Sequence, residues 1–117
     1  MRSALTAAFL TLGCEPKPDG FRVYLDDVHF VVPGPGLPDS VQPQASNNNV
    51  SIARHQERLF MAWRSAPTHF ASTETQMFIV SSGDNGQTWD HEQTIALGAD
   101  VREPLLYVAN DSLFLSF

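Results

Sequence analysis

The stretch Ser82-Gly83-Asp84-Asn85-Gly86-Gln87-Thr88-Trp89 decides the fold, because a strand-like segment lies on each side of it. A carboxylate at Asp84 can accept hydrogen bonds from the backbone amides of a turn, as other Asx turns do. Gly86 permits a positive φ that a larger side chain would resist. The stretch therefore predicts a tight hairpin turn between two antiparallel strands.

The other side chains of this turn also suit a structural role. Ser82 and Thr88 offer hydroxyls to the same hydrogen-bond network, and Trp89 supplies a large apolar body. We expect these residues, together with Asp84 and Gly86, to hold the turn in place rather than to act on a substrate. Trp89 is expected to pack against the neighbouring sheet.

Short apolar segments at regular spacing surround this turn, and no segment has a sustained helical period. Such spacing is typical of an all-β chain. We expect four strands, over residues 50–53, 59–63, 75–81 and 93–97. Leu59, Met61 and Trp63 should share one face of the second strand. One or two further short strands are expected within 21–32, followed by an irregular connection over 33–49 that contains several prolines.

The pattern then begins again. Leu59–Trp63 is followed 54 residues later by the similar segment Leu113–Phe117. Four strands and a repeat near 50 residues are typical of the blades of a β-propeller. A propeller needs about four to eight blades to close. We therefore expect an N-terminal fragment of a larger propeller, with one blade and roughly half of a second.

The 82–89 turn fits the pattern Ser-x-Asp-x-Gly-x-Thr-Trp, which is called the Asp-box or bacterial neuraminidase repeat. On this motif the chain resembles the N-terminal part of the sialidase (neuraminidase) family. The resemblance implies an all-β propeller of sialidase type, here about one and a half four-stranded blades. It implies exo-glycosidase activity on glycans for a complete protein. It also implies that the Asp-box lies on the side opposite the ligand.

Two connections then fall on the ligand side, the loop 64–75 and the link 98–104. Sialidases hold the sugar carboxylate with arginines, because guanidinium groups match carboxylate oxygens bidentately. Arg102-Glu103-Pro104 resembles the Arg-x-Pro that opens a blade in that family. Arg64 resembles the arginine that follows the second strand of the first blade. The resemblance thus makes Arg64 and Arg102 the candidate substrate-binding residues.

The chain also departs from the family pattern. Asn48 stands where the leading arginine of the first blade is expected, and the 64–75 loop has no aspartate to act as acid/base. Glu74 or His69 are the candidate catalytic replacements. The family's nucleophilic tyrosine and its glutamate partner would belong to later blades. Tyr107, within a predicted strand, is expected in the core.

Two functions therefore remain open. The first is a sialidase-like glycoside hydrolase that acts on or binds glycans and is inactive as this fragment. The second is a non-catalytic Asp-box propeller that binds a glycan or a protein. The missing arginine and aspartate favour the second, and the pairing of Arg64 with Arg102 on the ligand side favours the first.

Composition excludes several other classes of protein. The formal net charge of −6 argues against nucleic acid as the main partner. The four histidines are dispersed without metal-ligand spacing, and no nucleotide-binding fingerprint is present. We expect neither a metal nor a cofactor.

The N-terminus predicts export. A charged start is followed by the apolar run 4–13, which is too short to span a bilayer and suits a signal peptide. The run ends at Gly13-Cys14, similar to a bacterial lipobox, so lipidation of Cys14 and a lipid anchor at the membrane surface are expected. The protein would then be an envelope lipoprotein, periplasmic or extracellular.

These observations divide the chain into four parts. We expect a leader and tether over 1–20, an N-terminal strand and connection over 21–49, a first blade over 50–101, and the start of a second blade over 102–117.

Overall fold

The computed structural model describes Val28 and residues 30–117, and within these residues the chain forms strands and no helix. The leader and its Cys14 therefore lie outside the described residues. Six strands form two antiparallel sheets: β1 (Ser46–His55), β2 (Arg58–Ala66), β3 (Gln76–Ser82), β4 (Asp90–Ile95), β5 (Leu105–Ala109) and β6 (Ser112–Ser116). The prediction of an all-β chain is confirmed. In the part of the chain that is described, no helix has the length and apolar character needed to cross a membrane.

The first four strands form a sheet in the order β1-β2-β3-β4, so each strand pairs with its neighbour in sequence. All four predicted strands exist, but the bounds of three are wrong. β2 ends at Ala66 rather than at Trp63, because Arg64 and Ser65 still pair with β3, so Arg64 lies in a strand and not in the predicted loop 64–75. β1 begins at Ser46 rather than at Val50, because Asn48 pairs with Arg64 beyond a register shift between Asn48 and Ser51. β4 covers 90–95 rather than 93–97, because Asp90 already pairs with Ser81 directly after the Asp-box turn.

One face of this sheet carries a core built from β2, β3 and Trp89. Its buried members are Met61, Trp63, Phe78, Val80, Trp89 and, from the preceding connection, Val41. The rings of Trp63 and Phe78 lie 5.3 Å apart. Val31, Val32 and Leu37 pack over this cluster, so residues 31–41 cover much of the face.

One prediction about this side of the sheet is wrong, and another is largely outside the described residues. Trp89 packs within its own sheet and against the 31–41 segment, and its backbone N–H donates to the carbonyl of Gly36 (2.9 Å). Within the described residues, this face is covered by a connection and not by a neighbouring sheet. Of the strands expected within 21–32, residues 30–32 are not in a strand, and residues 21–27 and 29 lie outside the described part.

The hairpin β5–β6 packs against the opposite face of the sheet. Leu106 and Val101 are buried there with Ala62, Met77 and Ile79. The backbone N–H of Leu106 donates to Ser51 Oγ (2.9 Å), which ties β5 to β1. Tyr107 is not in the core as expected: it points to the outer face of the hairpin, is 44% exposed and stacks on Phe114 at 5.4 Å.

The hairpin repeats the backbone geometry of β1–β2. Gln56 and Glu57 form the β1–β2 turn with positive φ at both positions (45° and 63°). Asn110 and Asp111, 54 residues later, form the β5–β6 turn with φ of 48° and 56°. Because non-glycine residues seldom take positive φ, the match supports a repeated unit.

Candidate functional site

The Asp-box turn joins β3 to β4 and is held by its own side chains. Asp84 Oδ1 accepts from the backbone N–H of Gln87 (3.0 Å) and of Thr88 (2.9 Å), and Oδ2 accepts from the Thr88 hydroxyl (2.6 Å). The hydrogen bonds from Thr88, with others from Ser82 and Gln87, hold the pKa of Asp84 well below its usual range despite desolvation. Because this carboxylate accepts its hydrogen bonds from residues of the turn, its role is to stabilise the turn.

The buried polar groups of the same turn are also hydrogen-bonded to one another. Ser82 Oγ accepts from the N–H of Gly86 (2.8 Å) and donates to Asp84 Oδ1 (2.8 Å). The indole N–H of Trp89 donates to the carbonyl of Gly86 (3.1 Å). Gly86 has a φ of +90°, and a Cβ there would lie 3.3 Å from the Trp89 ring. These contacts support the structural role predicted for the motif.

The opposite end of the sheet gathers the other candidate residues. Because the strands alternate in direction, the β2–β3 loop and the link 96–104 lie at the end of the sheet away from the Asp-box, beside the start of β1. We call this region the polar end. It contains the candidates chosen from the sequence, namely Arg64, His69, Glu74 and Arg102.

Arg64 is buried, with 1% of its side chain exposed, and is surrounded by acceptors. Its Nη2 donates to the carbonyl of Phe70 (2.8 Å) and to Asp100 Oδ1 (3.0 Å), and its Nε points at the same carboxylate oxygen (3.3 Å). Nη1 lies 3.5 Å from the carbonyl of Thr68. The guanidinium therefore joins the β2–β3 loop to the link rather than facing open space.

Asp100 lies between the two candidate arginines. Its Oδ1 faces Arg64 and also the Thr75 hydroxyl (2.9 Å), whose single proton is shared with the carbonyl of Ser72 (2.8 Å). Its Oδ2 accepts from Arg102 Nε, and the Arg102 side chain remains 42% exposed. Desolvation opposes ionisation, but the hydrogen bonds from Arg102, Arg64 and Thr75 outweigh it and hold the pKa of Asp100 well below its usual range.

The two catalytic candidates have different surroundings. Glu74 lines an open groove of about 400 Å³ with Gln44, Thr73, Thr75, Gln76 and Ala96. His69 Nδ1 lies 3.1 Å from Asn48 Nδ2, and its ring contacts Phe70. Among the described residues, neither side chain has a hydrogen bond to an arginine or to a second carboxylate.

Asp100 lies in the link 98–104 that was expected on the ligand side, but the sequence analysis gave it no role, although it joins Arg64, Thr75 and Arg102 at this end. Its spacing two residues before Arg102 was the available signal. Asp100 pairs with both arginines, and Glu103 accepts a hydrogen bond from Asn49 (2.7 Å). Among the described residues, no cluster of His, Cys, Asp and Glu is arranged to hold a metal ion.

Comparisons with known proteins leave the family as a prediction. No family model matches the chain, and neither the search of curated proteins nor the search of solved structures finds a match.

Proposed function

We propose that this chain supplies the first blade and the start of the second blade of a sialidase-type Asp-box propeller, and that its polar end binds glycans without hydrolysing them. The blade assignment rests on the Asp-box, on the four-stranded meander and on the hairpin that repeats the β1–β2 turn after 54 residues.

The observation that carries the absence of hydrolysis is the bonding of Arg64. A carboxylate-binding arginine has to turn its fork toward the ligand. Arg64 instead uses its donors on Asp100 and on the Phe70 and Thr68 carbonyls, and 1% of its side chain is exposed. Turning toward a ligand would require Arg64 to give up these buried contacts and would take one arginine away from Asp100, which opposes the exchange.

The described residues also do not bring together the proton donor and the nucleophile or base that a glycosidase needs. Glycoside hydrolysis needs a proton donor and a nucleophile or base on opposite sides of one bond. Glu74 lines the groove and His69 contacts Asn48 and Phe70, so the described residues present the two candidates in separate settings. This separation favours a binding role.

Glycan binding draws support from the groove beside Glu74. Its lining of amide, hydroxyl and carboxylate side chains can donate to and accept from the hydroxyls of a sugar. Phe70 is 79% exposed on the loop at the same end of the sheet and can offer an apolar surface. Gln44 is fixed over the groove by its Nε2, which donates to the carbonyl of Glu74 (2.8 Å).

A second candidate function is sialidase-type hydrolysis by a longer protein that contains this segment. The observation that favours it is Arg102, which is 42% exposed and stands before Pro104 at the start of the second repeat. In that case Arg102 would hold the sugar carboxylate, and later blades would supply the nucleophile.

A turnover assay separates the two functions for this chain. The purified protein is incubated with a fluorogenic sialoside beside the variants Arg102→Ala and Glu74→Gln. We expect no release of fluorophore above the buffer rate from any of the three. Turnover by the wild type that disappears in either variant would establish a glycosidase instead.

We also propose that the protein is an exported envelope lipoprotein, on the grounds of its apolar leader and Cys14. Metabolic labelling with a fatty acid should mark the wild type and not Cys14→Ala. Equal labelling of both would remove the lipid anchor.

A further inference from the structure

A single carboxylate engages both arginines of the polar end. Asp100 Oδ1 accepts a hydrogen bond from Arg64 Nη2 (3.0 Å), and Asp100 Oδ2 accepts one from Arg102 Nε. Guanidinium groups that converge on the oxygens of one carboxylate form the arrangement with which proteins bind acidic ligands. In this chain the carboxylate of that arrangement belongs to the protein itself.

The Asp100 carboxylate also lies close to the groove that contains Glu74. Thr75 forms part of the groove wall, and its hydroxyl is 2.9 Å from Asp100 Oδ1. Arg102 keeps 42% of its side chain exposed, and Asp100 keeps 21%. A sugar in the groove would therefore lie close to two guanidinium groups whose shared acceptor is already supplied by Asp100.

The charges around the groove oppose an acidic ligand. Glu74 is the one charged residue among the described residues that line the groove. Residues 64–75 and 98–104 together hold three carboxylates against two guanidinium groups, with histidine neutral. Because like charges repel, a carboxylate on the ligand would meet an excess of negative charge here. The hydroxyls of a neutral sugar can instead hydrogen-bond to the amides and hydroxyls of the lining.

We propose that Asp100 takes the place of a ligand carboxylate, so that the polar end selects neutral, hydroxyl-bearing sugar units over acidic ones. The preference for neutral sugars rests on the glycan binding proposed above, whereas the occupation of Arg64 and Arg102 by Asp100 does not. A terminal acidic sugar adds nothing to the affinity, because its carboxylate would reach Arg102 only by approaching that of Asp100. Loss of the Asp100 carboxylate should open this position to a carboxylate from solution.

The first test asks whether an external carboxylate can replace the one that Asp100 supplies. Asp100→Ala should have a lower melting temperature than the wild type, because Arg64 stays buried without its anion. Sodium formate should raise the melting temperature of this variant above its value in sodium chloride of the same ionic strength, and it should leave the wild type unchanged. Asp90→Ala is the matched control, because Asp90 also pairs with an arginine, Arg58, but is 74% exposed. Formate should not stabilise it.

The second test uses calorimetric titration to compare a sialylated oligosaccharide with the same oligosaccharide after removal of its sialic acid. The wild type should bind both through their neutral units, and the neutral form at least as tightly. Asp100→Ala should bind the sialylated form about fivefold more tightly than the neutral form, the factor expected of one exposed ion pair with Arg102. Asp90→Ala should keep the wild-type preference. Asp100→Ser replaces Asp100→Ala in both tests if circular dichroism shows that the latter is unfolded.

Each failure has a distinct result. A wild type that binds the sialylated form several-fold more tightly than the neutral form would overturn the selection against acidic sugars. An Asp100→Ala variant that gains nothing from formate and keeps the wild-type preference would show that Asp100 does not fill a carboxylate position. If neither oligosaccharide binds while formate still stabilises Asp100→Ala, glycan binding and the preference for neutral sugars fail together, and the role of Asp100 stands.

Discussion

Asn49 and Glu103 stand 54 residues apart, share a left-handed backbone with φ of 50° and 52°, and touch through a 2.7 Å hydrogen bond from Asn49 Nδ2 to Glu103 Oε1. The same offset relates the positive-φ turns 56–57 and 110–111. Positive φ is uncommon outside glycine, so repeated occurrence at one offset indicates a repeated unit. Asn49 lies inside β1, at the register shift between Asn48 and Ser51, and Glu103 lies two residues before β5.

The two hairpin turns should be stabilised by glycine. Glu57 and Asp111 hold φ of 63° and 56°, and a left-handed conformation costs an L-residue about 1–2 kcal/mol. Turns with positive φ at both central residues favour glycine at the second. Glu57→Gly and Asp111→Gly should each raise the free energy of unfolding by about 1 kcal/mol in urea titrations.

Thr73→Gly is the control for these turns, because Thr73 is exposed in a turn and is not among the residues with positive φ. It should bring no gain in stability. If Thr73→Gly stabilises as much as Glu57→Gly, relief of backbone strain is not the cause.

Substitution of Ser82 should destabilise the fold, although the side chain is small. Its hydroxyl bonds Asp84 and Gly86 and is buried, with 1% of the residue exposed. Ser82→Ala removes the hydrogen bonds that Ser82 Oγ makes with the Gly86 N–H and with Asp84 Oδ1, and it should lower the free energy of unfolding by about 1–3 kcal/mol. Ser116→Ala, at an exposed strand position, should stay within about 0.5 kcal/mol of the wild type. Equal effects of the two variants would show that the Asp-box network adds no stability.

The Asp84 carboxylate should make the fold sensitive to acid. Because its pKa in the folded chain lies below the ordinary 3.8, its contribution is complete above that value and is lost as the pH falls toward the folded pKa. The difference in melting temperature between wild type and Asp84→Asn should be constant near neutral pH and should shrink below about pH 4.

Thr88→Val checks the cause of this behaviour, since hydrogen bonds from Thr88 contribute most to the lowered pKa. This variant should show a weaker dependence of melting temperature on pH than the wild type. A difference between wild type and Asp84→Asn that widens as the pH falls would contradict the sign of the shift.

Alanine substitutions at Gly86 and Gly98 distinguish the cost of backbone strain from the cost of steric crowding. Both have positive φ, +90° and +68°, but a Cβ at Gly98 would meet nothing within 4 Å, whereas one at Gly86 would press on the buried Trp89 ring. Gly98→Ala should cost about 1 kcal/mol through its backbone alone. Gly86→Ala should lower the melting temperature further, and an equal loss in the two variants would show that Trp89 yields without cost.

The sequence was sufficient to predict local features of the fold, but not features that depend on contacts between distant residues. The Asp-box and the strands around it were predictable, because turn chemistry and alternation are local. The early start of β1 at Ser46 was not, since the run Ser46–Asn49 is polar and pairs only because β2 extends opposite it. The role of Asp100 was also hidden, because it depends on Arg64 and Thr75, which are distant in sequence.

The exposed face of Tyr107 shows a further limit. An aromatic residue inside a strand is expected in a core, but only the sheet packing tells which face is covered. Here Leu106 takes the covered side, so its neighbour Tyr107 faces outward. The partner of Trp89 was predicted wrongly for a related reason, because nothing in the local sequence shows that residues 31–41 cover its face of the sheet.

The central claim is that the polar end recognises a glycan and does not cleave it. The most direct measurement follows backbone amide signals by heteronuclear NMR while a sialylated oligosaccharide is added, and monitors release of the sugar in the same samples. Signals from residues 64–75 and from the link 98–104 should shift, those of the 82–89 turn should not, and the oligosaccharide should stay intact. Shifts confined to the 82–89 turn, no shifts at all, or release of sialic acid that Arg102→Ala abolishes would contradict the claim.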